Sequence, residues 1–338
     1  MKNLTLRNIT KACHGEYRGP ENLLDKEVAG VTIDSRKVEK DYLFIAIDGE
    51  RVNAHKFIPD TIEKGALCVI SHEDLGETDF PYILVESTGQ ALLDTAKLYR
   101  DSFDMKVVGI TGSVGKTSTK EVIASVLAQK YNVLKTLGNF NNELGLPLTV
   151  FRLRDEHQIA VLEMGINTFG EMHRLSEVAK PDICVMTNIG QCHLENLIDR
   201  DGILRAKSEI FDFMNPKGMV VVNGDDDKLA TIHEVYGKAP VTFGMNKQNA
   251  IWADHIENRG LLGSCADIHM GDAVVHAIIP LPGEHMIYNA MAAAAVALQF
   301  GMSKEEIAAG ISHVEAVAGR SHLVEAGDKV IIDDCYNA

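Results

Sequence analysis

The sequence has no long apolar run, and this absence excludes one broad class of protein. No stretch of 18 or more apolar residues occurs in the 338 residues, so a membrane-spanning helix is not expected. The N-terminus, MKNLTLRNIT, also lacks the apolar centre of a signal peptide. We therefore expect a cytoplasmic protein without membrane insertion.

Positive charge and paired cysteines are scarce as well. The 33 Lys and Arg residues stand against 48 Asp and Glu, a formal net charge of −15, and no basic cluster occurs. Nucleic acid and anionic membranes are therefore not expected as partners, and an anionic ligand would bind only at a local site. The six cysteines show no C-x-x-C spacing, which argues against structural zinc and a disulfide framework. We interpret them as reduced, mostly packing thiols.

What the sequence does contain is a strand–loop–helix pattern between Val107 and Thr119, VVGITGSVGKTST. An apolar β-branched run ends in glycines, and apolar residues at helical spacing follow Lys116. Glycines let backbone N–H groups approach a phosphate, and the helix N-terminus and the lysine add positive charge. The spacing is shorter than in the usual phosphate-binding loop, so an ordinary glycine-rich turn is the alternative. The candidate nucleotide-binding residues are Gly112, Ser113, Val114, Gly115, Lys116, Thr117 and Ser118.

Four apolar runs, at 107–111, 159–162, 183–187 and 219–222, are each followed by a polar loop and a helical segment. This alternation predicts a doubly wound, mostly parallel sheet, in which ligands bind at the carboxyl ends of the strands. Thr117, Glu163, Asn188, His193 and Asn223 fall at those ends. We expect an α/β protein with a mixed N-terminal domain at 1–104, this central domain at 105–318, and the start of a third domain at 319–338.

Glu163 ends a buried strand, where an unpaired carboxylate is costly. A divalent cation shared with the Thr117 hydroxyl would remove that cost, and a structural salt bridge is the alternative. His193 lies in the loop after the next strand of the pattern. A lone histidine there is either a metal ligand or a surface or hydrogen-bonded residue.

Lys207 lies among Ile203, Leu204, Ile210 and Phe211 at helical spacing, and therefore on an apolar stripe. Burial lowers the pKa of a lysine from about 10.4, and a neutral amine reacts with CO₂ to give a carbamate, an oxygen ligand for metal. The alternative, which the pattern alone favours, is a lysine whose stem is buried and whose ammonium reaches water.

The asparagines of GNFNN form a last cluster. Asn139, Asn141 and Asn142 are either turn formers or amide groups around a polar ligand, and the residues alone do not choose between these two.

Taken together, these motifs resemble the Mur ligase family of peptidoglycan synthesis. The matching stretches are TGSVGKTSTKE, GNFNNELGLPLTV, LEMGINTFGEMHRLSEVAKPDI, TNIGQCHLENL, AKSEIF, PGEHMIYNAMAAAAVA and DDCYNA. The phosphate loop followed by Lys120-Glu121, together with GNFNN, resembles the branch that adds D-alanyl-D-alanine rather than the branch that adds the third residue of the peptide.

The resemblance implies an ATP-dependent ligase that joins D-alanyl-D-alanine to UDP-N-acetylmuramoyl-tripeptide through an acyl phosphate. It implies two Mg²⁺ ions, one on Thr117 and Glu163 and one on His193 and a carbamylated Lys207, with Lys116 on the transferred phosphoryl group. Ser35 and Arg36 match the UDP-binding domain. The other nucleotide-binding positions that it implies are Asn289, Arg320, Asp334 and Asn337.

The resemblance also implies a further domain beyond residue 338, so we expect this chain to be a truncated and inactive portion of a monomeric ligase. A related amide ligase is one alternative, either the third-residue-adding Mur enzyme or a folylpolyglutamate or cyanophycin synthetase. A nucleotide-binding module without catalysis is the other alternative.

Overall fold

The computed structural model describes residues 1–49, 53–320, 322–327 and 329–336. Its helices are α1 Leu6–Ala12, α2 Ile58–Glu63, α3 Thr88–Arg100, α4 Lys116–Leu127, α5 Gly145–Val150, α6 Glu171–Ala179, α7 Leu194–Leu197, α8 Arg200–Ser208, α9 His285–Gln299 and α10 Lys304–Ser312. Its strands are β1 Glu16–Arg18, β2 Gly30–Thr32, β3 Tyr42–Ile45, β4 Cys68–Ser71, β5 Tyr82–Leu84, β6 Lys106–Thr111, β7 Val133–Lys135, β8 Ile159–Glu163, β9 Ile183–Met186, β10 Met219–Asn223, β11 Val241–Gly244, β12 Ile251–Asn258, β13 Ser264–Met270, β14 Ala273–Ile279, β15 His322–Ala326 and β16 Lys329–Asp333.

These elements form two compact units. The first unit contains Met1–Asp104, Phe140–Asp155 and Glu177–Ala179, and the second unit contains the remainder. The first unit has a five-stranded sheet in the order β1-β5-β4-β3-β2, parallel except for β1. Its buried core includes Phe44, Ile58, Val69 and Tyr82, so it is the mixed α/β domain that the sequence predicts.

Helix α5 belongs to the first unit, although the sequence-based boundary at residue 104 would leave it in the central domain. It packs against α3, and the Tyr99 hydroxyl donates a 2.8 Å hydrogen bond to the carbonyl of Leu153. Local sequence patterns do not reveal that a later segment of the chain returns to pack with an earlier unit. The domain bounds themselves remain a prediction.

The second unit has a nine-stranded sheet in the order β14-β13-β12-β11-β10-β9-β6-β8-β7. The strands from β7 to β12 pair in parallel, and β13 and β14 continue the sheet antiparallel. The alanine-rich helix α9 is buried in the core of this unit with α4. The prediction of a doubly wound, mostly parallel sheet is confirmed.

Strand β6 lies at the point where the strand order reverses. It pairs with β8 on one side and β9 on the other, so that Ile110 lies opposite both Glu163 and Val185. A parallel sheet opens a crevice at the carboxyl ends of its strands at such a point. The fold therefore brings the loop after β6 and the ends of β8 and β9 to one place.

Two local features near the end of the chain follow from short sequence patterns. Ser303 and Glu306, three residues apart, form a capping box at the start of α10. The apolar run after Lys329 forms β16, which pairs with β15 as an antiparallel hairpin. Among the described residues, no helix is both long and apolar enough to cross a bilayer.

Candidate functional site

The loop between β6 and α4 has the backbone of an anion-binding loop. Gly112 (φ +152°) and Gly115 (φ +79°) occupy conformations that favour glycine, and Gly115 forms the N-cap of α4. A Cβ atom on Gly112 would lie 1.9 Å from the Thr187 hydroxyl oxygen. Both glycines are therefore required, one by close approach and one by its backbone angle.

The end of β9 holds this loop in place. The Ser113 and Val114 N–H groups each donate to Asn188 at 3.0 Å, the first to its carbonyl and the second to its side-chain oxygen. The Thr187 hydroxyl donates to the carbonyl of Val114 at 2.6 Å. Asn188 thus braces the loop, whereas its position after a strand had indicated only that it lies at this end of the sheet.

Lys116, the first residue of α4, folds back over the loop. Its ammonium donates to the carbonyls of Gly112 at 2.9 Å and Ser113 at 3.3 Å. Burial lowers the pKa of Lys116, and the charge of Glu163 partly restores it. A cation held over a glycine loop is placed for phosphate oxygens.

Thr117 and Glu163 lie together, as predicted. The Thr117 hydroxyl donates to Glu163 Oε1 at 3.2 Å, and the Glu163 side chain is 2% exposed. Two oxygen ligands of one Mg²⁺ in octahedral geometry lie about 3.0 Å apart. The donor set and its spacing therefore fit a small divalent cation.

Lys120 is a residue that the sequence analysis did not single out for the site. It is fully buried, with its ammonium 3.9 Å from Glu163 Oε2 and 2.9 Å from Glu121 Oε1, and it donates to the carbonyl of Thr136 at 2.8 Å. Glu163 thus also has the structural ion pair that the sequence analysis left as an alternative. Thr117, Ile123 and Ala124 at helical spacing around Lys120 could have revealed this position by the reasoning applied to Lys207.

Lys207 on α8 is 1% exposed, so its amine does not reach water. Burial lowers its pKa to about 8, with the charge of Lys116 as the second cause. His193 has a left-handed backbone (φ +51°) ahead of α7. Burial lowers the pKa of His193 too, followed by the charges of Lys207 and Lys116. The two predicted ligands thus lie in one electrostatic neighbourhood with Lys116.

A cleft of about 410 Å³ opens beside the loop in the second unit. Six predicted nucleotide-binding residues line it: Val114, Gly115, Ser118, Asn289, Arg320 and Asp334. The Thr119 hydroxyl donates to Asn289 Oδ1 at 2.8 Å and joins α9 to the loop helix. Asn337 lies outside the described residues.

The cleft also has walls that the sequence analysis did not assign to it. Phe243, His285 and Tyr288 line it. The Tyr288 hydroxyl donates to Asp225 at 3.0 Å, and burial, followed by Asp225, raises the pKa of Tyr288 to about 12. The sequence signal for this wall was the PGEH turn just before α9. The strands that also contribute to the wall lie far from that turn in the sequence.

The predicted substrate residues divide between the two units. Ser35, Arg36, Asn141 and Asn142 belong to the first unit and Asn139 to the second. The Arg36 guanidinium donates to both oxygens of Asp34 and is exposed. Asn142 Oδ1 accepts the N–H groups of Leu144 and Gly145, so this asparagine forms a turn, one of the two interpretations left open.

The comparisons with known proteins agree along the chain. Residues 110–297 match the "Mur ligase middle domain" model, and residues 27–100 match the "Mur ligase family, catalytic domain" model. The chain is 36% identical over 337 residues to the UDP-N-acetylmuramoyl-tripeptide–D-alanyl-D-alanine ligase of Bacillus subtilis, an alignment covering 99% of this chain and 72% of that protein.

Solved structures are similar over the same length. MurF from Acinetobacter baumannii matches with a TM-score of 0.91 and 34% identity, over 99% of this chain and 73% of that one. MurF from Thermotoga maritima, solved in complex with ADP, matches with a TM-score of 0.82 and 29% identity, over 91% of this chain and 71% of that one.

Proposed function

The chain belongs to the Mur ligase family, and we propose from this premise that it joins D-alanyl-D-alanine to UDP-N-acetylmuramoyl-tripeptide with ATP. The similarity to ligases named for this reaction extends over 99% of the chain. The observation that carries the proposal is the crevice at β6, where a braced glycine loop, a buried lysine and a hydroxyl–carboxylate pair meet. Phosphoryl transfer needs such positioned charges more than a covalent protein participant.

ATP is assigned to the cleft, and the assignment is supported by a structural relative that was solved in complex with ADP. The loop Gly112–Ser118 cradles the phosphates, and Lys116 turns from its carbonyl partners to the transferred phosphoryl group. Asn289, Arg320, Asp334 and Asn337 are assigned to the rest of the nucleotide. The Ser113 and Val114 N–H groups are already held by Asn188, so the cradle relies on the other N–H groups of the loop.

Mg²⁺ is assigned to two places. Thr117 and Glu163 would hold the first ion with hydroxyl and carboxylate oxygens, and His193 and a carbamylated Lys207 would hold the second. Such ions would neutralise the charge that develops on the phosphate oxygens. Thr117, Glu163 and Lys207 are buried, and His193 is exposed.

The buried position of Lys207 supports the proposed carbamylation. With a pKa of about 8, about one amine in ten is neutral at pH 7. Its nitrogen forms a bond to the carbon of CO₂, one C=O π pair becomes the carboxylate charge, and a proton leaves the nitrogen to solvent. This change replaces a cation that repels Lys116 with an anion that attracts it. The repulsion seen in the pKa of Lys207 is thereby removed.

The reaction then has two steps. The terminal carboxylate of the UDP-linked peptide attacks the γ-phosphorus of ATP and ADP leaves, which gives an acyl phosphate. The dipeptide amine attacks the acyl carbon, phosphate leaves, and the amine loses a proton. Lys116 and the loop stabilise charge in the first step. Lys116, Glu163, His193 and Lys207 are the proposed catalytic group.

The remaining assignments rest on the family. Residues 1–104, with Ser35 and Arg36, are assigned to the UDP moiety, 105–318 to ATP, and 319–338 to the start of a further domain. Asn139, Asn141 and Asn142 are assigned to the substrate. The enzyme is proposed to act as a monomer in the cytoplasm, where ATP and UDP-linked precursors are found.

The test is a ligation assay with the complete gene product and two substrate pairs. UDP-N-acetylmuramoyl-tripeptide with D-alanyl-D-alanine should release phosphate and give a product of the summed mass less water. UDP-N-acetylmuramoyl-dipeptide with a diamino acid should not. Lys116→Ala is the control for ATP-dependent turnover. Turnover with the second pair alone would assign the other branch, and ATP binding without turnover would indicate a non-catalytic module.

A further inference from the structure

A second group of metal-binding side chains lies in the first unit, whereas the cleft is built from the second. Asp48, His55, His72 and Glu73 each offer a ligand atom, and these atoms all lie within 4.8 Å of one another. They come from three separate places: the segment after β3, the 3₁₀ turn before α2, and the segment after β4. The fold of this unit therefore gathers them.

Asp48 lies at the centre of the group. His55 Nδ1 is 3.1 Å from one of its carboxylate oxygens, and His72 Nε2 is 3.6 Å from the other. Two ligand atoms of a tetrahedral Zn²⁺ lie about 3.3 Å apart. Both imidazole nitrogens are thus at the separation from the carboxylate that a shared ion requires.

The His55 ring is prearranged and buried. Its side chain is 6% exposed, and it meets the His72 ring edge-on with centroids 4.5 Å apart. Its backbone N–H donates to Asn53 Oδ1 at 2.8 Å, and the Ala54 N–H donates to Asp48 at 3.0 Å. These hydrogen bonds hold the His55 ring beside the Asp48 carboxylate.

The nitrogen of His55 that faces the group is Nδ1, which lies 3.1 Å from Asp48. The other nitrogen, Nε2, is buried and has no hydrogen-bond partner in the described part of the chain, so His55 contacts the group through Nδ1.

We propose that Asp48, His55, His72 and Glu73 bind one divalent transition-metal ion, with Zn²⁺ as the best match. Two imidazoles and two carboxylates suit Zn²⁺ in ligand type, and the two carboxylate charges balance the ion. Four protein ligands make a closed site, which is typical of a structural metal. The ion ties the loop after β3 to the end of β4 and stabilises the first unit.

The experiment is Zn²⁺ titration of the metal-stripped complete protein by calorimetry and thermal denaturation. The buffer holds millimolar Mg²⁺, which prefers oxygen ligands and occupies sites built from them. We expect one Zn²⁺ per chain and a rise in Tm. His72→Ala should weaken binding at least about tenfold and abolish the rise in Tm.

The matched control is His276→Ala. His276 is an exposed histidine of the second unit whose Nδ1 contacts Asp267 at 2.8 Å. Asp267, but not His276, belongs to another candidate group of metal-binding side chains, with Asp254 and His255. This variant should bind Zn²⁺ as the parent does. Equal binding by His72→Ala and the parent, or loss of binding in His276→Ala alone, would overturn the proposal.

Glu73→Gln covers the case in which His72→Ala does not fold. Glu73 is exposed, so its change to an isosteric amide should leave the fold intact and still weaken Zn²⁺ binding. Glu77→Gln, at an exposed position four residues further on, is its control. If the two Gln variants bind Zn²⁺ with the same affinity as the parent, the assignment is wrong.

Discussion

Gly112→Ala tests the geometry of the phosphate loop most directly. The added Cβ would lie 1.9 Å from the Thr187 hydroxyl oxygen, where ordinary contacts begin at 3.4 Å. Thr187 cannot turn away freely, because its hydroxyl donates to the carbonyl of Val114 at 2.6 Å. The clash must therefore break that bond or move the loop.

The magnitude follows from two contributions. A backbone angle of +152° costs a non-glycine residue roughly 1–3 kcal/mol. A buried hydrogen-bonding group left without its partner costs about 1–3 kcal/mol more. The free energy of unfolding should fall by about 2–6 kcal/mol, with a midpoint of about 4 kcal/mol, which lowers Tm by about 8–16 °C at roughly 2–4 °C per kcal/mol.

Gly237→Ala is the matched control. Gly237 also has a positive φ, +77°, but no atom lies within 4 Å of a Cβ placed there, so only the backbone cost of about 1–2 kcal/mol applies. Urea denaturation compares the two variants, and a fluorescent ATP analogue measures nucleotide affinity. Affinity should fall at least about tenfold in Gly112→Ala and stay unchanged in the control. Stabilities within about 1 kcal/mol of each other would refute the close approach of Gly112 to Thr187.

Three further changes test the rest of the site. Glu163→Gln removes the carboxylate charge beside Thr117, so it should reduce phosphoryl transfer at least about 100-fold at saturating Mg²⁺ while Tm changes by only a few degrees. Near-normal turnover of this variant would reject Glu163 as a metal ligand. The pKa of Lys207 is about 8 in the folded protein and about 10.4 in the unfolded chain. In CO₂-free buffer between these two pH values, the unfolded chain therefore binds more protons than the folded protein, and stability rises with pH. Lys207→Met should lose this rise and be more stable than the parent at pH 7 by up to about 3 kcal/mol. Lys207→Ala should lose activity and regain part of it with formate. If Lys207→Met leaves the dependence of stability on pH unchanged, the amine reaches water. Thr119→Val should lower the free energy of unfolding, measured by urea denaturation, by about 1–3 kcal/mol, because Asn289 Oδ1 loses its 2.8 Å donor. The double variant with Asn289→Leu should recover much of this loss. Additive losses in the double variant would argue against the coupling of Thr119 and Asn289.

Much of the site was predictable because its signals are local. The apolar run before Gly112, the glycines and the helical spacing after Lys116 lie within thirteen consecutive residues. Strand propensity, turn chemistry and helix periodicity agree there, and such agreement is what makes a local prediction reliable. The position of Glu163 at the end of the next buried run followed from the rule that parallel strands align their carboxyl ends.

Other residues were not predictable, because their environment comes from segments remote in sequence. Helical spacing indicates that Lys120 is buried, but only the fold brings its partners Thr136 and Glu163 beside it. Asp48 follows β3 and His72 follows β4, and only the fold of the first unit brings His72 Nε2 to 3.6 Å from the Asp48 carboxylate. Helical spacing put Lys207 on an apolar stripe, but whether its amine reached water depended on what lay beyond the stripe.

The sequence by itself determined the fold class, the phosphate loop and the order of the polar strand ends, since each depends on the chemistry of neighbouring residues. Only the tertiary structure decided that the Lys207 amine is buried, that Asn188 braces the loop, and that α5 packs with the first unit. The physical reason is that burial, and with it the charge state of a side chain, is set by all the segments packed around it. No window of consecutive residues contains those segments.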